Sequence, residues 1–231
     1  MGDVTAIPRL SDAPAAYTTN RPEVTALVPR RCQRVLDVGC STGEVGAALR
    51  ADGHDVTGIE VNPRWAEQAQ RRLDTVITAD IEALAGTNTD VGGPFDCVVM
   101  ADILEHLRDP WLVVRWVAGL LSPAGCVVVS LPNVRHLHLV AQVLLGRRWP
   151  YDDAGIFDRT HLRWFAYRNV AELVEGPGLH VTALTRHFGL VVEPRSRLGL
   201  CANRIAPLLG DLGTLQFVFR AEPAGTGSLR R

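Results

Sequence analysis

The sequence predicts an α/β fold with a doubly wound, mostly parallel sheet, and three observations support this prediction. Short apolar runs typical of buried strands alternate with stretches of helical periodicity, an order typical of parallel strands joined by crossover helices. One run, residues 95–100, is almost entirely apolar, as expected of a strand covered on both faces. A chain of 231 residues with 47% hydrophobic residues can bury one core of this kind.

The stretch 34–50 contains the most informative local pattern of the chain. An apolar run at 34–38 predicts a buried strand, a glycine turn follows, and apolar residues at helical spacing begin at Val45. Gly39 permits a sharp turn, and Gly43 is expected to let the backbone approach a ligand that a Cβ atom would exclude. The helix start offers free N–H groups and a positive dipole end. This arrangement is typical of a nucleotide-type site.

The turn differs from the dinucleotide fingerprint G-x-G-x-x-G. That fingerprint requires glycine at two positions where this chain has Ser41 and Glu44. A diphosphate would meet the Glu44 carboxylate at the helix start, which is electrostatically unfavourable. A ligand with a sulfonium and an ammonium group would find a complementary charge there. A nicotinamide-dependent oxidoreductase is therefore disfavoured.

Cap and turn signals divide the rest of the chain. Asn62-Pro63 and Asp109-Pro110 each combine an N-cap residue with a proline at the first helical position. Residues 86–94 are rich in Gly, Asn, Thr and Asp and predict a loop. The further predicted strands are 55–60, 76–78, 95–100, 126–131, 180–185 and 215–220. The further predicted helices begin at residues 63 and 110 or cover 23–28, 134–145 and 169–174.

Composition excludes several classes of protein. The 24 basic and 25 acidic residues nearly cancel, so no global field indicates a nucleic-acid or membrane partner. The five cysteines are scattered, odd in number and without a C-x-x-C pair, so we expect small core residues and no zinc site. No apolar run reaches transmembrane length, and the N-terminus lacks the apolar core of a signal peptide. We expect a cytoplasmic, reduced protein.

Six blocks occur in order between residues 35 and 165: VLDVGCSTG, GIE, PFD, DILEHLRDP, SLPNVRH and DRTHLRWF. Together they resemble the small class I S-adenosylmethionine-dependent methyltransferases related to the ubiquinone-biosynthesis O-methyltransferases, with a subgroup among polysaccharide and natural-product genes. The resemblance covers residues 17 to about 185. D-V-G-C-S-T-G is similar to motif I, D-x-G-x-G-x-G, with serine at the middle glycine. Ala166 stands where the family often has a threonine cap.

The resemblance implies a Rossmann-like methyltransferase fold with seven strands, one of them antiparallel. The last two strand-like segments would complete this sheet. We expect a flexible N-terminal segment at 1–16 and a single methyltransferase domain at 17–222. A substrate-facing insertion is expected at about 133–166, and a flexible tail at 223–231.

The resemblance also implies S-adenosylmethionine as the cofactor. Glu60, 21 residues after Gly39, would accept hydrogen bonds from the ribose hydroxyls, with a solvated strand end as the less favoured alternative. Asp80 and Ile81 match the pair that contacts the adenine. These candidates lie at the carboxyl ends of predicted strands, where ligands bind in such sheets.

The remaining cofactor contacts involve the amino acid part of the ligand. Asp37 and the backbone of Ala101 match the positions that hold the methionine ammonium group, while Asp37 could also brace the glycine turn. Tyr17 and Arg21 resemble an N-terminal segment that closes over the cofactor, with a plain disordered tail as the alternative.

Three histidines are candidates for a general base, because an unperturbed imidazole pKa lies near the operating pH. His106 follows the fourth strand, with a structural alternative in which Asp102 and Glu105 form a capping box around the helix start. His136 lies just beyond the fifth strand and could equally be a satisfied helix-start histidine. His161 lies in a polar, aromatic segment, with pairing to Asp158 as the alternative.

Aromatic residues of the same segment could wall an acceptor pocket or cap the core: Trp149, Tyr151, Phe157 and Trp164. No carboxylate-rich group indicates a metal, and none is expected. The sequence thus predicts a methyltransferase acting on a small-molecule hydroxyl, on a sugar or secondary metabolite. N- or C-methylation and a cofactor-binding, non-catalytic partner subunit remain alternatives, and a second copy of the chain remains a candidate partner.

Overall fold

A computed structural model describes residues 21–189 and 204–224 of the chain. The expectations for residues 1–16, Tyr17, Cys201 and the end of the tail lie outside these residues. The described helices are α1 (Pro22–Thr25), α2 (Glu44–Ala51), α3 (Pro63–Ala69), α4 (Ile81–Gly86), α5 (Pro110–Gly119), α6 (Leu137–Leu144) and α7 (Tyr167–Glu175). The strands are β1 (Arg34–Val38), β2 (Asp55–Glu60), β3 (Thr75–Thr78), β4 (Phe95–Ala101), β5 (Leu121–Pro132), β6 (Leu179–Phe188) and β7 (Thr214–Pro223).

The seven strands form one sheet in the order β3-β2-β1-β4-β5-β7-β6. Strands β1 to β5 are parallel to one another, whereas β7 pairs antiparallel with both β5 and β6. The predicted mostly parallel sheet with one antiparallel strand is therefore confirmed. The strand order reverses between β1 and β4: β2 and β3 extend the sheet on one side of β1, and β4 and β5 extend it on the other. Ligands bind at such a switch point, outside the carboxyl ends of the strands.

Buried apolar side chains fill both faces of the sheet. Phe95, Leu131, Phe217 and Phe219 are fully buried on one side. Four cysteines lie in the core as predicted: Cys32, Cys40, Cys97 and Cys126. No helix within residues 21–189 and 204–224 has both the length and the apolar character needed to cross a bilayer.

Local signals set most helix starts. The Asn62 side chain accepts a hydrogen bond from the Arg64 N–H at 3.0 Å, and the Asp109 side chain accepts one from the Leu112 N–H at 2.9 Å. Both predicted N-caps are confirmed. At α7 the Asn169 side chain accepts from the Ala166 N–H, so a residue inside the helix contributes a capping contact where the N-cap has no polar side chain.

Several element boundaries differ from the sequence prediction, and three of them have a local explanation. Helix α1 ends at Thr25, three residues before the predicted end, because residues 26–28 continue as a turn. Helix α6 begins at Leu137 and not at residue 134, since the Asn133 side chain accepts from the Arg135 N–H and holds a turn there. Strand β5 already starts at Leu121, with residues 122–125 bulging out between two pairs of the β4–β5 ladder.

Candidate active site

A cavity of about 630 Å³ lies at the carboxyl ends of β1, β2 and β4. The cofactor candidates that line it are Arg21, Asp37, Gly39, Glu60, Asp80, Ile81 and Ala101. They come from strands β1, β2 and β4, the turn after β1, the start of α4 and the residue before α1. The sheet brings most of them together because parallel strands end at a common edge. The motif serine, Ser41, and the helix-start acid, Glu44, line the same cavity.

Two buried polar atoms in this cavity have no hydrogen-bond partner within the described part of the chain. They are Oδ2 of Asp37, a residue with only 2% of its surface exposed, and Oγ of Ser41. Burial raises the pKa of the Asp37 carboxyl to about 7. An unpaired buried polar atom is costly, so atoms of this kind at a cavity wall fit a bound ligand with an ammonium group and further donors.

Glu60 closes the glycine turn from the neighbouring strand. Its carboxylate accepts the Ser41 N–H at 2.9 Å and the Asn62 N–H at 2.8 Å, while burial raises its pKa. Each oxygen retains a second lone pair for a hydroxyl donor. Asp80 accepts the Glu82 N–H at 2.8 Å as the N-cap of α4, so its carboxylate has a fixed place at the cavity edge.

The two glycines of the turn have different roles. Both adopt positive φ, 71° at Gly39 and 86° at Gly43. A Cβ atom on Gly39 would meet the Ile103 side chain at 2.8 Å, and Gly39 lines the cavity. A Cβ atom on Gly43 would meet the Ala69 Cα at 3.2 Å. Gly43 is not among the residues that line the cavity, and close packing of the turn on α3 is a sufficient reason for glycine at this position.

Arg21, the first described residue, contacts strands β5 and β7 through Ser130 and Gln216. It forms ion pairs with Glu23 and Asp102 and donates a hydrogen bond to Gln216 Oε1 at 2.9 Å. Asp102 Oδ1 in turn accepts from Ser130 Oγ at 2.7 Å and from Gln216 Nε2 at 3.0 Å. The structural alternative for His106, a capping box of Asp102 and Glu105, is therefore wrong, because the Asp102 carboxylate faces β5 and β7 and not the start of the following turn.

A second cavity of about 510 Å³ adjoins the first. Four residues line both: Arg21, Asp102, His106 and Asp158. Two of the three histidine candidates, His106 and His161, line the second cavity, and His106 stands at the boundary. A small acceptor in the second cavity could therefore meet a ligand in the first next to an imidazole.

A hydrogen-bond chain orients the His106 ring. Thr160 Oγ1 donates to Asp158 Oδ1 at 2.6 Å and lies 2.9 Å from His106 Nδ1. Because the single hydroxyl hydrogen goes to the carboxylate, Nδ1–H must be the donor to Thr160, and Nε2 is the nitrogen that can accept a proton. Burial lowers the pKa of His106, so the ring is neutral at pH 7.

His161 packs edge-on against His106, with ring centroids 4.8 Å apart. Burial, and then the neighbouring His106, lower the pKa of His161 to about 4. Glu105 lies beside them with 1% of its surface exposed, and burial raises its pKa to about 8. One ligand atom from each of Glu105, His106 and His161 lies within 4.8 Å of the others, a spacing that could hold a metal ion. The sequence prediction did not anticipate this group.

His136 lies elsewhere. Its ring is fully buried, and Nε2 lies 2.6 Å from the Gly189 carbonyl oxygen, so Nε2–H donates and joins the start of α6 to the end of β6. It lines neither cavity. Its place at the start of α6 fits the helix-start histidine that the sequence left open, although only Nε2 is satisfied: Nδ1 is buried and has no hydrogen-bond partner among the described residues.

Of the four aromatic candidates, Phe157 alone lines the second cavity. Trp149 packs edge-on against both Phe157 and Trp164, while Tyr151 is 69% exposed. Trp149, Tyr151 and Trp164 are not among the lining residues: the two tryptophans stack on each other, and the Tyr151 side chain faces solvent. Sequence reasoning missed Glu105 and Thr160 as site residues. The only signal was their place inside the matching blocks DILEHLRDP and DRTHLRWF.

Comparison with known proteins shows which family the chain belongs to. A family model described as a methyltransferase domain matches residues 9–184. The ubiquinone biosynthesis O-methyltransferase of Xylella fastidiosa (strain 9a5c) is 35% identical over 113 residues, which cover 48% of this chain and 46% of that protein. The chain thus spans about half the length of this relative. The enzyme of the same name from Paracidovorax citrulli (strain AAC00-1) is 30% identical over 181 residues, 72% of this chain and 75% of that protein.

Solved structures share the fold. The magnesium protoporphyrin IX methyltransferase of Synechocystis PCC 6803, crystallised with bound S-adenosylhomocysteine, superposes with a TM-score of 0.61 at 16% identity, over 90% of this chain and 84% of that one. A methyltransferase of Haloferax volcanii, in complex with the activator Trm112, gives 0.64 at 14% identity over 91% and 92%. With the family model covering residues 9–184, this chain belongs to the class I S-adenosylmethionine-dependent methyltransferases.

Proposed function

We propose that the chain methylates a hydroxyl group of a small molecule, a sugar or secondary metabolite, and that His106 is the general base. The observation that carries the proposal is the position of His106 on the wall shared by both cavities, with Nδ1 bonded to Thr160. The relatives named as ubiquinone biosynthesis O-methyltransferases support transfer to oxygen. N- or C-methylation on the same scaffold is the near alternative.

Bound S-adenosylmethionine supplies an electrophilic methyl group on a sulfonium. Asp37 would hold its ammonium group, Glu60 its ribose hydroxyls, and Asp80 with Ile81 its adenine. The chain's further task is to align the acceptor oxygen with the methyl group and to exclude water. An aliphatic hydroxyl is a weak nucleophile, so a base that takes its proton during transfer lowers the barrier.

His106 is suited to that step. Its lowered pKa keeps the imidazole neutral at pH 7, and the chain through Thr160 to Asp158 fixes the tautomer with Nε2 as the acceptor. The Asp158 carboxylate raises the pKa of His106 again, in opposition to burial, and stabilises the imidazolium that forms. This is the arrangement of an imidazole base oriented by a third group.

Transfer of labelled methyl from S-adenosylmethionine into a deproteinised cell extract tests the proposal. We expect label in a small-molecule product, and about a 100-fold or greater loss of kcat in His106→Asn with cofactor affinity retained. His180→Asn, an exposed histidine on β6, is the matched control and should keep full activity. Cofactor binding without transfer in any extract would favour a non-catalytic subunit. Full activity of His106→Asn would refute the base assignment.

The same assay, repeated after treatment with EDTA, addresses the group of Glu105, His106 and His161. A neutral imidazole base predicts unchanged activity. Loss of transfer with EDTA that is restored by a divalent ion would instead assign these side chains to a metal site, for which two imidazoles and a carboxylate are suitable ligands.

A further inference from the structure

The charge of the second cavity, which we call the acceptor cavity, bears on the substrate class and rests on the function proposed above. Five carboxyl groups line it, from Glu23, Asp102, Glu105, Asp152 and Asp158. Its only lysine or arginine among the described residues is Arg21, whose guanidinium already forms ion pairs with Glu23 and Asp102. The cavity wall therefore carries an excess of negative charge.

This charge is not explained by the cofactor. Asp102 and Asp158 line both cavities, but Glu23, Glu105 and Asp152 line the acceptor cavity and not its neighbour. Three of the five acids are thus placed where the cationic sulfonium of the cofactor does not require them. Glu23 is paired with Arg21, and burial raises the pKa of Glu105 to about 8, so that carboxyl is mostly neutral at pH 7. The uncompensated charge among the three is therefore that of Asp152, which solvent or the acceptor must balance.

Two of these acids have free acceptor atoms. Oε2 of Glu105 is buried and has no hydrogen-bond partner among the described residues, and the residue is 1% exposed. The Asp152 carboxylate forms no ion pair within the described part of the chain, and its residue is exposed at the cavity wall. A ligand with hydrogen-bond donors and a positive charge would satisfy both carboxyl groups: the buried one of Glu105 and the exposed one of Asp152.

Acceptors of other charge fit less well. A phosphate or carboxylate in this cavity would face the carboxylates of Asp152 and Asp158 without an unpaired guanidinium or ammonium to bind it. Like charges at close range in a partly buried site cost several-fold to many-fold in affinity. A neutral acceptor would leave the negative charge uncompensated. A protonated amine gains from the same field.

We propose that the acceptor carries a protonated amine beside the hydroxyl that is methylated, as in an amino sugar or an aminocyclitol, and that Asp152 is a specificity residue for this amine. The hydroxyl lies toward His106 and the ammonium group toward Asp152. The imidazoles of His138 and His187, which also line the cavity, supply hydrogen bonds to further hydroxyls.

Fractionation of the labelled extract tests the charge of the acceptor. A deproteinised extract of the cells that encode the chain is separated into cation-retained, anion-retained and unretained pools, and each is offered with labelled S-adenosylmethionine. We expect label in the cation-retained pool and its loss after N-acetylation of that pool. Mass spectra of the product should place the methyl group on oxygen and leave the primary amine free.

Each other outcome is decisive. Label in the anion-retained or unretained pool would overturn the amine proposal but keep the O-methyltransferase. A methyl group found on the amine nitrogen would overturn both the hydroxyl acceptor and this proposal. No label in any pool, from chain that binds S-adenosylhomocysteine, would overturn the proposed function itself.

Charge reversal at Asp152 tests whether this residue recognises the amine. The acceptor is the extract pool that yields labelled product. Asp152→Lys should raise the acceptor KM at least tenfold and leave the S-adenosylmethionine KM within twofold, because Asp152 does not line the cofactor cavity. Asp52→Lys, at an exposed carboxylate just after α2, is the matched control and should change neither KM. An unchanged acceptor KM in Asp152→Lys would overturn the role of Asp152.

Discussion

Asp37 combines a buried carboxylate with an unpartnered oxygen at the cofactor cavity. Burial raises its pKa to about 7, so at pH 6 the carboxyl is mostly protonated and at pH 8 mostly charged. The ammonium group of S-adenosylhomocysteine should therefore bind more tightly at pH 8, by about five- to tenfold. Asp37→Asn should bind more weakly at pH 8 and lose most of this pH dependence. Isothermal titration calorimetry at both pH values measures the affinity for S-adenosylhomocysteine. If the variant kept the pH dependence of the wild type, the contact between Asp37 and the ammonium group would be wrong.

Glu105 allows a stability prediction at the same scale. Its folded pKa of about 8 exceeds the usual value of 4.5, so its contribution is fully favourable below pH 4.5 and is lost as pH rises toward 8. Glu105→Gln has no proton to lose. Between pH 6 and pH 8 the variant should gain roughly 2 to 3 kcal/mol in unfolding free energy relative to the wild type.

Urea unfolding of both proteins at pH 6 and pH 8 measures this difference. Glu67→Gln is the control, because Glu67 is an exposed acid of α3 in an ion pair with Arg71 and should show no such gain. A constant difference between Glu105→Gln and the wild type at the two pH values would show that Glu105 ionises normally.

At the scale of elements, the strand–turn–helix unit at 34–51 could be predicted almost entirely, because its apolar run, glycines and helical spacing are local signals. The N-caps Asn62 and Asp109 are local in the same way. The role of Asp102 could not be predicted, since its partners Ser130 and Gln216 are 28 and 114 residues away in sequence. His136 illustrates the same limit, because its partner Gly189 lies 53 residues further along the chain.

The contact between the glycine turn and α3 leads to a prediction about packing. Gly43 and Gly53 both have positive φ, but a Cβ atom on Gly43 would meet α3 while one on Gly53 has no atom within 4 Å. Gly53→Ala should cost about 1 kcal/mol from backbone strain alone. Gly43→Ala should cost about 2 to 4 kcal/mol, because overpacking adds to the strain. Chemical denaturation measures both, and equal losses would show that α3 moves aside freely.

At the scale of the whole molecule, the site is assembled from residues distributed over the described chain. Arg21 precedes the first helix, Asp102 follows β4, Asp158 lies between α6 and α7, and Gln216 belongs to the last strand. Strand β7 enters the sheet between β5 and β6, which brings Gln216 beside Asp102. The class of sheet, mostly parallel with one antiparallel strand, could be predicted from the sequence. The polar network could not, because it depends on which strands become neighbours.

Because the cofactor cavity draws on β1, β2, β4 and the loops after them, ligand binding there should stabilise the sheet as a unit. A ligand that binds only the folded chain adds about 2.7 kcal/mol at 100 times its dissociation constant. For a chain of this size that corresponds to a rise of about 5 to 10 °C in Tm. We therefore expect S-adenosylhomocysteine to raise the Tm by this amount and NADH to leave it unchanged, since Glu44 at the helix start opposes a diphosphate. Differential scanning calorimetry with each ligand measures this difference. An equal rise in Tm with NADH would mean that the glycine turn accepts a diphosphate. The electrostatic role given to Glu44 would then be wrong.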